Sequence, residues 1–316
     1  MSLLEDWRTA WLAGGILVLL MTASALGFVL HSRVRTDEQR NTIENLNSRT
    51  RAWWWMVMVF AAAVLLGARG IVVLFGLLSF LGLREFITLT PTRRGDHRAL
   101  FWAFFVIVPL QYWFVARWWY GMFSIFIPVY VFLFLPVRTA MAEDCDHFLE
   151  RAAKVQWGLM ACVYCLSHAA ALVKLEIPCF TGQQEKLLIY LVVVTQLSDV
   201  FQYVWGKTLG RHKIAPKVSP GKTWEGLIGG ALTATGIGGV LSWLTPFGWG
   251  PSLLISLAIT TAGFAGGLVM SAIKRDRGVK DYGVLISGHG GVMDRVDSLC
   301  FAAPVFFHLV RYYYGA

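Results

Sequence analysis

Residues 271–298 read SAIKRDRGVKDYGVLISGHGGVMDRVDS, and two long apolar runs flank them. Lys274, Arg275, Arg277, Lys280 and Arg295 alternate here with Asp276, Asp281, Asp294 and Asp297 around a glycine-rich centre, Gly288-His289-Gly290-Gly291. Carboxylates are hard oxygen ligands suited to Mg²⁺, which takes one or two of them and fills its shell with water and phosphate oxygens. A helix starting near Asp294 would put Asp294 and Asp297 on one face near its positive end. Glycines at 288, 290 and 291 allow the backbone to turn amides toward phosphate oxygens, and the bases would hold what a metal does not.

Working outward, the 316 residues are 56% hydrophobic and 15% charged, with a mean hydropathy of +0.57. About twenty apolar residues cross a bilayer. Runs at 10–30, 52–68, 71–89, 99–116, 120–137, 155–173, 187–205, 227–244, 252–273 and 299–310 therefore predict an all-α, polytopic integral membrane bundle of about nine to ten transmembrane helices. A soluble fold would lack the polar surface to cover such a core. The first run lacks the cleavage site of a signal peptide and is expected to stay as a span.

Lysine and arginine total 28 against 19 acids, a net charge of +9. In a membrane chain this reflects basic cytoplasmic loops and anionic lipid, so nucleic acid is not an expected partner. The basic loops 31–51, 91–98, 206–223 and 271–298 all sort to one side, taken as cytoplasmic, where a polar cavity would open. A tight turn is expected at Arg69-Gly70 and another at Arg117-Trp118-Trp119, while Arg84 and Glu85 sit at the interface. The chain divides into helices of 1–154 and a catalytic region, 155–316. Cys162 and Cys165 form C-x-x-C inside an apolar run, which favours packing over metal binding. His168 has two readings, a buried ligand or a hydrogen-bonded packing residue. The mixed charges at 138–154 read as a solvated amphipathic loop, in preference to a metal cluster.

Within 187–205, Thr195, Ser198, Asp199 and Gln202 share one helical face, so Asp199 is an intramembrane carboxylate directed into the bundle. The following segment, GKTLGRHKIAPKVSPGKTWEG at 206–226, fixes several amines in a turn-rich frame. Gly221-Lys222-Thr223 is no P-loop, because position 216, where the first glycine of that motif belongs, is proline.

These two segments together resemble the signature of the phosphatidate cytidylyltransferases, or CDP-diacylglycerol synthases. The shared positions are Ser198-Asp199, Pro216, Ser219-Pro220, Lys222-Thr223, Glu225-Gly226, Lys274-Arg275, Lys280-Asp281, His289-Gly290-Gly291, Asp294-Arg295 and Asp297. Ser287 departs from the pattern, which has proline two residues before the histidine. The resemblance is strong over 196–298, and the Ser-His-Ala-Ala stretch at 167–170 with the aromatic tail is similar to a bacterial paralogue branch.

The resemblance implies transfer of CMP from CTP to phosphatidate at the cytoplasmic face of the bacterial inner membrane, with membrane lipid as surroundings and a homodimer as a common state. It implies Mg²⁺ in two metal sites, one open to a monovalent cation, held by Asp199, Asp281, Asp294 and Asp297. Asp281, Asp294, Lys280 and Lys222 would be catalytic. Lys217, Ser219, Lys222, Thr223, Lys274, Arg275, Gly290, Gly291 and Arg295 would bind substrate. For His289, orienting an aspartate is preferred to bonding a phosphate. Two alternatives stand beside this reading: a CTP-using enzyme acting on another lipid phosphate or a polyprenol, and a transporter of anionic lipid.

Overall fold

A computed structural model of the chain describes residues 7–32, 37–178, 180–285 and 290–315. The helical segments are α1 (Trp7–Ser32), α2 (Asp37–Leu65), α3 (Gly67–Thr88), α4 (Arg94–Arg117), α5 (Tyr120–Ala140), α6 (Phe148–Lys174) and α7 (Glu185–Thr208). A hairpin of β1 (Lys213–Ala215) and β2 (Ser219–Thr223) follows, then α8 (Trp224–Leu244), α9 (Trp249–Asp276) and α10 (Met293–Tyr314). Among the described residues, 8 of these helices are long and apolar enough to cross a membrane. The two that fall short, α2 and α10, carry charge near their N-terminal ends, Asp37 and Glu38 in one and Asp294, Arg295 and Asp297 in the other. The protein is an all-α polytopic integral membrane protein.

Each apolar run became helix, with local differences. The break between α2 and α3 falls at Leu66-Gly67, not at Arg69-Gly70, because Gly67 takes the left-handed backbone (φ +67°) that the interruption requires. Trp118 adopts the same region (φ 53°) and closes α4 where a turn was expected. Of the three short π-helical stretches among the described residues, Ala103–Ile107 and Phe126–Val131 lie beside or across Pro109 and Pro128, while Met160–Cys165 in α6 has no proline near it. Proline removes a backbone donor, and a widened turn absorbs the loss. The division at residue 154 falls inside α6, so both halves share that helix.

Without water to exclude, helices in lipid associate through close packing and small residues. The core lies where α3, α6, α7 and α10 meet, around Phe75, Leu83, Leu159, Leu166, Tyr190 and Phe306, all nearly inaccessible. α8 presses so closely on α7 that a Cβ at Gly230 would stand 2.5 Å from Gln202 Cγ. α1 packs chiefly on α2, held by Trp54 Nε1 donating to Ser24 Oγ at 3.0 Å. His168 proves to be a packing residue: its Nδ1 bonds Tyr164 O at 2.8 Å, and Phe123, Tyr164 and Phe307 box the ring. Cys162 is buried against Met293 (Sγ–Sδ 3.6 Å).

The 138–154 charges are more organised than a solvated loop. Arg151 and Asp96 are almost fully buried and 3.2 Å apart, Arg151 also holds Asp144 at 2.7 Å, and Arg93 reaches Asp144 (3.3 Å) and Asp146 (2.8 Å). This network joins the start of α4 to the start of α6.

Candidate functional site

The C-terminal ends of α3, α7 and α9 and the N-terminal ends of α8 and α10 come together at one end of the bundle, under the hairpin. Local sequence sets the hairpin. Thr223, in extended backbone, caps α8 by accepting from Gly226 N at 3.1 Å. Two residues on, Glu225 accepts from Arg211 N (3.1 Å) and His212 Nδ1 (2.6 Å), which folds the hairpin's entry back onto the helix start. Lys213 Nζ donates to Pro220 O at 2.7 Å and closes the turn. Arg275 on α9 then donates to Val218 O at 3.2 Å, tying the two basic loops to each other.

Beneath the hairpin lies an inner cluster. Asp199 on α7 is within electrostatic reach of Asp297 on α10 and of Lys222 and Arg295, and Asp297 Oδ1 accepts from Ser298 N at 2.8 Å. Lys222 projects from β2 over the Phe264 ring, 4.3 Å from its centroid, and a Cβ at Gly267 would lie 3.1 Å from its Nζ. Burial pushes the Lys222 ammonium below its ordinary value, against the pull of Asp199 and Asp297 in the other direction. Two carboxylates within electrostatic reach of each other and away from water repel, so such a pairing calls for cations.

A second group forms around Asp294, which is buried with both oxygens engaged. Its Oδ1 accepts from Lys274 Nζ at 2.7 Å, and its Oδ2 accepts from Tyr282 N (2.8 Å) and Gly291 N (2.9 Å). Lys274 lies over the Tyr282 ring, and the Tyr282 hydroxyl donates to Met270 O at 3.1 Å. Asp294 thus clasps the loop between α9 and α10. Gly290 stands in the left-handed region (φ +81°), and a Cβ there would come within 2.8 Å of Asp294 Oδ2 and 3.1 Å of Asp281 Cβ. A Cβ at Gly291 would lie 2.3 Å from Glu85 Oε2. These two glycines make room for carboxylates, and the Gly291 amide is turned to Asp294.

The remaining predicted residues are distributed around these groups. Lys217, Arg275, Lys280 and Asp281 are exposed, Ser219 is half-buried and Thr223 is buried as the cap. Gly288 and His289 lie outside the described residues. Among the described residues no three His, Cys, Asp or Glu side chains gather as a ready metal cage. The donor chemistry of Asp199 and Asp297 still fits Mg²⁺, which needs only one or two carboxylates when water and phosphate complete its shell.

Sequence reasoning missed Glu85. This residue on α3 accepts from Val292 N at Oε1 and from Met293 N at Oε2, both at 2.9 Å, and so caps α10 from another helix. The available signal was an acid at the end of an otherwise apolar run, LLSFLGLREF, read only as interfacial.

The model of the cytidylyltransferase family matches residues 47–313. The uncharacterized protein YnbB of Escherichia coli K12 is 43% identical over 268 residues, covering 84% of this chain and 87% of that protein. A phosphatidate cytidylyltransferase of Haemophilus influenzae is 40% identical over 131 residues, 38% of this chain and 44% of its own length. One from Aquifex aeolicus is 43% identical over 112 residues, 35% and 42% of the two chains. The chain thus spans less than half the length of these two phosphatidate cytidylyltransferases, against most of the YnbB protein. With the matched region running across nine of the ten helices, including both charged segments that meet at one end of the bundle, the chain belongs to the cytidylyltransferase family of CTP-using nucleotidyltransferases.

Proposed function

We propose that the protein transfers CMP from CTP to the phosphate of phosphatidate, giving CDP-diacylglycerol and pyrophosphate on the cytoplasmic side of a bacterial inner membrane. The observation that carries this reading is the convergence of Asp199, Asp297 and Lys222 from three separate elements beneath a hairpin rich in lysine. A phosphate monoester oxygen attacks the α-phosphorus of CTP in line, and the bond to the pyrophosphate oxygen breaks. The attacking group is already an anion, so no general base is required. The difficulty is bringing two anions together.

Asp199 and Asp297 are the residues that would hold a divalent cation, with Asp281 the exposed carboxylate nearest them in role. A metal bound there would neutralise charge and align the attacking and leaving oxygens. Lys222, poised over Phe264, would sit against the reacting phosphates, where each unit of positive charge about 4 Å away contributes roughly 4 kcal/mol at an effective dielectric near 20. Lys217, Lys280 and Arg275, exposed at the rim, would receive the polyphosphate. Arg295 and Lys274 supply further positive charge below. Asp294 serves the site by holding the loop, and a role for His289 stays as proposed from the signature.

A second acceptor, another lipid phosphate, is favoured by one finding: the phosphatidate cytidylyltransferases above align over at most 38% of this chain, while YnbB aligns over 84%. Purified protein in detergent with lipid, Mg²⁺ and CTP labelled at the α- or the γ-phosphate separates the cases. Lipid-linked α-label with phosphatidate supports the primary reading, and α-label only on a different lipid phosphate supports the second. Lipid labelled only from the γ-phosphate would make the protein a kinase. No lipid label from either position would overturn nucleotidyl transfer.

A further inference from the structure

We infer that Glu85 is a positioning residue for the nucleotidyl-transfer site, an inference that rests on the reading above. It fixes the first turn of α10 from the opposite half of the chain. Its two carboxylate oxygens take the N–H groups of Val292 and Met293, each at 2.9 Å. Those are helix-initiating donors with no partner inside their own helix. Asp294 Oδ2 takes the preceding amide, Gly291 N, at 2.9 Å. Three consecutive amides are therefore committed to two carboxylates, one local and one from α3.

The fit is built from both sides. Gly291 has no Cβ because Glu85 Oε2 would be 2.3 Å from it, and a Cβ at Gly283 would be 2.9 Å from Glu85 Oε1. Neighbouring contacts hold α3 in the same register. Phe86 stacks on Tyr282 with centroids 6.3 Å apart, and a Cβ at Gly82 would meet Met293 Sδ at 3.4 Å. The turn that Glu85 holds carries Asp294 and, three residues on, Asp297. Moving a catalytic group by about 1 Å can cost roughly 100-fold in rate. Of the residues expected on substrate Glu85 adjoins only Gly291, whose amide is taken by Asp294; it acts by setting where Asp297 stands relative to Asp199 and Lys222.

The full chain in detergent tests this with two readouts. In Glu85→Gln one carboxylate oxygen becomes an amide donor facing a backbone N–H. Deuterium exchange in peptides covering 282–293 is expected to rise, with exchange in α7 and α8 unchanged. For CMP transfer, kcat is expected to fall about 100-fold while KM for CTP stays within about threefold of wild type, the split expected when an interaction of the transition state alone is lost. Unchanged exchange, or wild-type kcat, overturns the inference. A general rise in exchange through α3 and α6 also overturns it, since Glu85 would then be only structural.

Should Glu85→Gln not accumulate, Gly291→Ala and Glu85→Ala replace it. Gly291→Ala is expected to raise exchange alone but to add little in the Glu85→Ala background, where the colliding carboxylate is gone; additive effects overturn the contact. If the wild-type protein transfers no CMP to any lipid, the nucleotidyl reading fails, while the exchange experiments still decide whether Glu85 holds this turn.

Discussion

Two clusters of acids and bases lie near the same end of the bundle, and they differ in how completely their charges are used. In the Arg93–Asp96–Asp144–Asp146–Arg151 network every acid has an arginine or backbone donor at hydrogen-bonding distance, and the result joins two helix starts. In the Asp199–Asp297–Lys222 cluster two carboxylates are brought near each other, and the lysine rests on an aromatic face at 4.3 Å. Similar side chains therefore make a rivet in one place and a receptive surface in the other. Like charge set beside like charge, not composition or the presence of a donor, separates them, since Asp297 too takes a backbone donor, Ser298 N at 2.8 Å.

The contrast breaks most sharply at the inner cluster. Asp297→Asn and Asp199→Asn are each expected to reduce CMP transfer by more than about 1000-fold, the loss of roughly 4 kcal/mol of charge interaction, with unchanged elution and melting temperature. Activity within tenfold of wild type would remove that residue from the site. Lys222→Gln is expected to cost about 100-fold in kcat/KM, corresponding to one charge-assisted contact of 2–3 kcal/mol. Lys222→Arg should recover part of it, and no loss in the glutamine variant would show the lysine to be idle.

The rivet should answer in stability instead. Arg151→Leu leaves Asp96 buried without its charged partner, with only the Arg93 N–H still donating to it, and is expected to destabilise by about 3 kcal/mol, seen as a lower melting temperature with near-normal kcat in the folded fraction. Asp294→Asn sits between the two classes. It removes the charge from a buried pair, so both melting temperature and turnover should fall, and loss of turnover alone would argue that Asp294 acts on substrate and not as a clasp. Arg93→Ala, at the exposed rim of the rivet, should change neither measurement appreciably. Burial by itself raises the Asp144 carboxyl, but the Arg151 hydrogen bond, the Asp146 amide and the charges of Arg151 and Arg93 bring it below its ordinary value. A depressed carboxyl stabilises the fold above its ordinary pKa and loses that contribution as pH falls through the lowered value. Melting temperature should therefore be insensitive to this group between about pH 5 and 8 and decline only below about pH 4.

Much of the fold was legible because hydropathy reports each span locally. Runs such as 187–205 and 252–273 needed no partner to be recognised. The polar stripe Ser198–Asp199–Gln202 could likewise be placed from helical spacing, and Gln202 does donate to Ser198 Oγ at 2.7 Å. What stayed hidden were long-range pairings. Glu85 and Val292 are 207 positions apart, and no periodicity links an acid to a distant amide. For the same reason the glycines at 290 and 291 read as a phosphate cradle, whereas their bareness admits the carboxylates of Asp294 and Glu85. Arg275, proposed to meet phosphate at the rim, also donates to the carbonyls of Val218 and Val279, a structural tie that its position in the signature did not announce.

The engagement of the amides of Gly291, Val292 and Met293 has a further consequence. An open helix start is an anion trap that works over short range and needs no mobile group. Here that trap is already filled from within the protein, so a triphosphate must be drawn in by lysines and arginines reaching from the rim. Such attraction is long-ranged but fades within a Debye length of about 8 Å at physiological ionic strength, which makes nucleotide capture at this surface a property that salt should tune.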